Sequence, residues 1–165
     1  VAIDGEGFFK VKRVDGTEVY SRDGAFKVDA SGRVVTSDGL EVTGLPTLKG
    51  AQNIGISPVG KLTWTGSDGK AGTGDMKIQL FPNPAGLKSI GGNLYEETAS
   101  SGPAEERAPG TQGAGLLVQG FLESSNVNVV EEMVNMIQAQ RAYEINSKAI
   151  TTSDEMLGQI AQLKR

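Results

Sequence analysis

The apolar positions change their period along the chain. Up to residue 36 they come in short runs, at 8–14, 18–21, 25–28 and 33–36, set between Asp4-Gly5, Asp15-Gly16, Asp23-Gly24, Ser31-Gly32 and Asp38-Gly39. Within 25–28, Phe26 and Val28 alternate with Lys27, the period of two of a half-buried strand. Asp-Gly between β-favouring runs is a hairpin signal, because glycine takes the positive φ of a tight turn. The pattern predicts a twisted antiparallel sheet of short strands. Further strands are expected at 54–56, 61–65 and 76–81, broken by Pro82-Asn83-Pro84 and Gly91-Gly92. Residues 98–115 hold almost no large apolar side chain and read as an extended loop, ordered only where a neighbour covers it. A last strand is expected at 116–122.

Beyond residue 127 the spacing becomes helical. One stripe runs through Met133, Met136, Tyr143, Ile150, Leu157 and Ala161, and a second through Val130, Val134, Ile137, Ile145, Ala149, Met156, Ile160 and Leu163. Asn128 and Glu131 have the spacing of a helix-capping pair. Glu131 and Glu132 at the start and Lys164 and Arg165 at the end complement the helix dipole. About 36 residues at ~1.5 Å each make a rod of roughly 54 Å. Thr151-Thr152-Ser153-Asp154 is the one place where it would divide into two helices. A helix lying on a single sheet needs one apolar stripe of about 100°. Two stripes imply neighbours on two sides, more than the β part can supply, so other helices are expected there.

Composition sharpens this division. Residues 1–126 hold 22 of the 23 glycines and all six prolines, whereas 127–165 hold only Gly158. The fold class expected is therefore mainly β with a long C-terminal α-helix: an antiparallel β-rich domain of short strands at 1–125, then a coiled-coil-like helix at 126–165. The 165 residues are about one domain's worth. The chain starts on Val1 rather than methionine, which suggests processing or a piece of something longer, and no secretory signal is legible.

Cysteine and histidine are both absent. That removes disulfides, thiolate and imidazole metal sites, cysteine nucleophiles and serine–histidine triads. A net charge of −4 argues against nucleic acid as a partner. Ser67-Asp68-Gly69-Lys70 matches a Ser-x-x-Lys nucleophile pattern but sits on an Asp-Gly turn, without the companion elements of that enzyme class. Gly5-Glu6-Gly7 and Gly113-Ala114-Gly115 lack the third glycine of a dinucleotide fingerprint. Glu105-Glu106 reads as solvated surface, and Trp64, the only tryptophan, as a core or interface anchor rather than a ligand-binding aromatic. No catalytic, cofactor-binding or metal site is expected, and no small-molecule substrate.

Four stretches resemble one known family. Asp4-Gly5-Glu6-Gly7-Phe8-Phe9 is similar to a motif of bacterial flagellar rod and hook proteins. Ser21-Arg22-Asp23-Gly24-Ala25-Phe26, with 29–32 and 37–39, is similar to the repeat that follows it. Residues 115–128, from Gly115-Leu116-Leu117-Val118-Gln119-Gly120, resemble the junction ahead of the terminal helix, and 136–148 resemble the helix itself. About 110 residues separate the first motif from the helix, too few for the extra outer domains of hook proteins, so the likeness is to the distal-rod branch; a proximal-rod relative is the alternative within the family.

The resemblance implies a non-enzymatic structural subunit that stacks helically into a hollow drive shaft, carrying torque from motor to hook. It implies other copies of the chain, proximal rod and hook proteins, and the surrounding P- and L-ring proteins as partners, and a place in the basal body spanning periplasm to outer membrane. It also implies a helical segment ahead of Asp4, missing from these residues, that pairs with the C-terminal helix in an inner tube. The expected assembly interface is Val130, Met133, Val134, Met136, Ile137, Tyr143, Ile145, Ala149, Ile150, Met156, Leu157, Ile160 and Leu163. The rival reading from another class is a β-rich surface module that binds polysaccharide through Trp64 and the loops.

Overall fold

The computed structural model describes residues 1–124 and 127–163, with side chains through residue 158. In chain order the strands are β1 (Ala2–Asp4), β2 (Phe9–Lys12), β3 (Glu18–Ser21), β4 (Lys27–Val28), β5 (Val34–Val35), β6 (Glu41–Val42) and β7 (Gln52–Ile56). They continue with β8 (Lys61–Thr65), β9 (Ala71–Asp75), β10 (Ile78–Leu80), β11 (Lys88–Gly91), β12 (Leu94–Glu96), β13 (Glu105–Arg107) and β14 (Leu116–Val118). One helix follows, α1 (Val129–Leu163). The chain divides into two compact units, Val1–Glu123 and the residues from 124 onward.

Antiparallel pairing joins the strands into four sheets. The largest has the order β11-β12-β3-β2-β6-β5-β4, a three-stranded sheet has β7-β8-β9, and two ladders pair β1 with β14 and β10 with β13. The hairpin signals map onto this directly: Gly16, Gly32, Gly39 and Gly69 all turn with φ between +76° and +88°. Three apolar clusters lie among the sheets. Ile3, Phe9, Met76, Ile78, Ala114 and Leu117 form the first. Val34, Val42, Leu48 and Leu62 form the second, and Phe8, Tyr20 and Phe81 the third, with the Phe81 ring edge-on to both of its partners. Phe26 packs against the first two clusters and links them.

Residues 98–115 are not the extended loop expected. Strand β13 lies inside this stretch and pairs with β10 from Ile78↔Arg107 to Leu80↔Glu105, and Ser101 and Pro109 are fully buried. Small and hydroxyl-bearing residues make this burial possible without large apolar groups. The Thr98 hydroxyl donates to Gly86 O at 2.6 Å, and the Ser101 hydroxyl donates to Thr98 O at 2.9 Å while accepting from Thr98 N–H. Several expected strands are shorter than their sequence runs. Only Lys27–Val28 of 25–28 pairs, Val14 sits exposed in the turn after β2, and the last strand stops at Val118.

Candidate assembly helix and its junction

The helix begins on an asparagine cap. Asn128 Oδ1 accepts from Val130 N–H at 3.1 Å, and Asn128 O accepts from Glu132 N–H at 3.1 Å, the first bond of the helix. Glu131 and Glu132 stand in the first turn, near its free N–H groups. The hydroxyl-rich stretch at 151–154 does not divide the helix. Thr151 Oγ1 donates to Ser147 O and Lys148 O, and Ser153 Oγ to Ala149 O, so these hydroxyls are satisfied by the preceding turn and the ladder continues.

Every stripe residue with a described side chain is exposed. Val130, Met133, Val134, Met136, Ile137, Tyr143, Ile145, Ala149, Ile150, Met156 and Leu157 all fall in that class, with Tyr143 at 77% and Ile145 at 66%. The side chains expected at Ile160 and Leu163 lie outside the described residues, as do Lys164 and Arg165. At about 100° per residue the stripe of Met133, Tyr143 and Ile150 and the stripe of Val134, Ile145 and Met156 lie on roughly opposite faces of the rod. Apolar surface on this scale is not left in water by chance.

The stretch that leads to the helix is held by two polar side chains. Arg22 follows β3 and reaches across the glycine motif: its guanidinium donates to Gly5 O at 3.1 Å and Gly7 O at 3.2 Å, and pairs with Glu123 at 2.9 Å. It also lies 5.8 Å from the centre of the Phe8 ring. Gly5 and Gly115 explain the glycines on either side: a Cβ on Gly5 would stand 2.9 Å from Gly115 Cα, and one on Gly115 would stand 2.7 Å from Asp4 O.

Gln119 is the second. Its Nε2 donates to Ile54 O at 2.9 Å and its Oε1 accepts from Ile56 N–H at 2.7 Å. The amide thus takes the place of a strand along the outer edge of β7. Sequence reasoning gave neither Arg22 nor Gln119 a role. The available signal was an arginine and a glutamine embedded in glycine-rich motifs, where long side chains are the only donors that span the gaps.

The residues weighed for chemistry fall elsewhere. Ser67 and Lys70 sit on the exposed β8–β9 turn, with Lys70 Nζ 3.8 Å from Asp68 Oδ2. Glu105 pairs with Arg107 at 2.6 Å and Glu106 with Lys77 at 2.6 Å. The Trp64 indole packs on Gly72 and Gly74 of β9 and against the second apolar cluster, where its ring is part of the fold.

Two family profiles match this chain. Residues 2–64 match the flagellar hook protein FlgE/F/G D1 domain, and residues 118–163 match the flagellar basal body rod FlgEFG protein C-terminal region. Proteins named flagellar basal-body rod protein FlgG are similar along nearly the whole chain. The one from Borreliella burgdorferi is 51% identical over 172 residues, covering 100% of this chain and 64% of its own length. That from Buchnera aphidicola subsp. Schizaphis graminum is 47% identical over 166 residues, covering 99% and 64%. That from Bacillus subtilis is 44% identical over 172 residues, covering 100% and 65%. The chain therefore spans just under two thirds of the length of these relatives. With both profiles in their expected order and these relatives matching end to end, the chain belongs to the flagellar hook and basal-body rod family.

Proposed function

We propose that the chain is a structural subunit of the distal rod of the bacterial flagellar basal body, without catalytic activity. Copies of it stack helically into a hollow shaft that transmits torque toward the hook. The single observation that carries this reading is a 35-residue helix with exposed apolar residues on two faces. In the shaft the two stripes lock against neighbouring helices, so that the apolar surface leaves water and each contact shares the load with many others. The β-rich unit forms the outer layer. Other copies, proximal rod and hook proteins, and the P- and L-ring proteins are its partners, and the shaft runs from periplasm to outer membrane.

Assembly of the chain tests this. Sedimentation and electron microscopy at rising concentration would compare the chain with Ile145→Asp and with a chain ending at residue 126. Higher-order species that depend on the helix support the shaft. Each Ile145→Asp contact costs several kcal/mol, because the carboxylate is buried without a partner. Assembly that persists unchanged in both variants overturns the reading.

A further inference from the structure

The three-stranded sheet has two unlike edges. Antiparallel pairs alternate between residues that exchange hydrogen bonds and residues whose N–H and C=O point away. Gly66 N–H donates to Lys70 O and Met76 N–H donates to Gly60 O, which fixes the phase of the β8–β9 ladder. Gly72 and Gly74 therefore bond to β8, and the backbone groups of Ala71, Thr73 and Asp75 face outward. On the opposite edge, the outward groups of Ile54 and Ile56 are taken by the Gln119 amide. Nothing comparable covers β9, whose Ala71, Thr73 and Asp75 are all exposed.

Other edges carry the features that discourage strand addition. Strand β4 is two residues long, β11 is broken by a bulge between Ser89 and Gly91, and β13 reads Glu-Glu-Arg. Strand β9 is five residues long and regular along its whole pairing with β8. Its inner face is already closed by Trp64 and Pro46 over Gly72 and Gly74, so what it offers is backbone rather than an apolar surface.

We propose that the open edge of β9 is a docking site for an extended segment of a second copy of this chain, joined through the outward N–H and C=O groups of Ala71, Thr73 and Asp75. Charge favours a second copy. Asp75 ends the edge and forms no ion pair among the described residues, and Lys27, on the exposed terminal strand β4 of the large sheet, forms none either. Opposite charges on different edges of one chain suit a head-to-tail contact, the kind that propagates rather than closing on itself. This proposal rests on the shaft reading, in which the neighbours are copies, and adds a contact in the β-rich unit to the one between helices.

Hydrogen exchange read by mass spectrometry on the 165-residue chain, from dilute to high concentration, tests it. Peptides covering 71–76 are expected to exchange about tenfold or more slowly as the chain associates. Thr73→Pro removes an outward N–H without touching the β8 ladder and abolishes that protection; Ala71→Lys, which keeps the backbone intact, does the same by placing a charge on the edge. Exchange at 71–76 that stays constant at all concentrations, or protection that survives both variants, overturns the proposal. The two readings separate: association lost in Ile145→Asp with 71–76 unprotected leaves the shaft and removes the edge, whereas protection at 71–76 with Ile145→Asp assembling normally does the reverse.

Discussion

Arg22 and Glu123 lie 101 residues apart in sequence, and Nε of the one stands 2.9 Å from Oε2 of the other. The same guanidinium holds the carbonyls of Gly5 and Gly7. Three stretches that resembled the family as separate motifs are thereby one physical unit. The glycines bring their carbonyls close, and the arginine collects them together with the acid that precedes the helix.

Removing that centre should cost more than its ion pair. Arg22→Ala leaves the Gly5 and Gly7 carbonyls without their donor and strips the Phe8 ring of its cover, an expected loss of about 2–3 kcal/mol. Glu123→Gln breaks only a partly exposed pair and should cost about 1 kcal/mol or less. Urea unfolding of both variants measures the difference, and equal losses would place the Arg22 contribution in the salt bridge alone.

Gln119 both donates and accepts, so its replacements should differ. Gln119→Glu keeps the acceptor for Ile56 N–H but sets a carboxylate oxygen against Ile54 O. It should destabilise by about 1–2 kcal/mol, no less than Gln119→Ala. Faster amide exchange at Ile56 in both variants, measured by NMR, checks the edge-covering role directly.

The glycines divide into those needed for a turn and those needed for an approach. Gly39 has φ +82° and open space around it, so Gly39→Ala should cost about 1 kcal/mol in backbone strain. Gly5 has φ +117° and the Gly115 backbone against it, so Gly5→Ala should cost about 3 kcal/mol or more. Thermal unfolding of the pair reads the contrast.

Two groups set the pH limits of the β-rich unit. Burial, with the nearby charges of Glu97 and Glu18, pushes the Tyr20 hydroxyl up to about 12. The folded state then keeps a proton that the unfolded chain gives up near pH 10, so this contribution is complete below pH 10 and is lost as pH rises toward 12. Hydrogen bonds from Ser31 and Arg33, aided by the Arg33 charge, hold Asp29 down at about 2. Its contribution is present above the ordinary carboxylate range and is lost as pH falls toward 2. Tyr20→Phe should flatten the alkaline limb of a stability profile and Asp29→Asn the acid limb, each leaving the other unchanged.

The sequence was legible where a residue's role is local. Asp-Gly turns, the alternation around Phe26 and the heptad spacing of the helix each depend on near neighbours, and each reappears in the structure. Residues 98–115 were illegible because their order comes from β10 and from hydroxyls such as Ser101, whose partners are set by the fold. The shortening of 25–28 and 116–122 has the same origin: a run favours extended backbone, but a strand ends where its partner does. Arg22 and Gln119 were within quoted motifs, yet their partners lie at Glu123 and at β7, distances that no spacing rule spans.

Strands β1 and β14 pair antiparallel, with Ala2 opposite Val118. Chain attached ahead of Ala2 and chain continuing past Val118 thus leave from the same end of one short ladder. A pull applied through both in a common direction passes from one to the other without crossing the sheets between them. The β-rich unit hangs beside that line like a pendant on a closed clasp, free to meet neighbours while the load goes by. Only a pull that separates the two ends would open the clasp, and it would do so one residue pair at a time, starting from Ala2 and Val118.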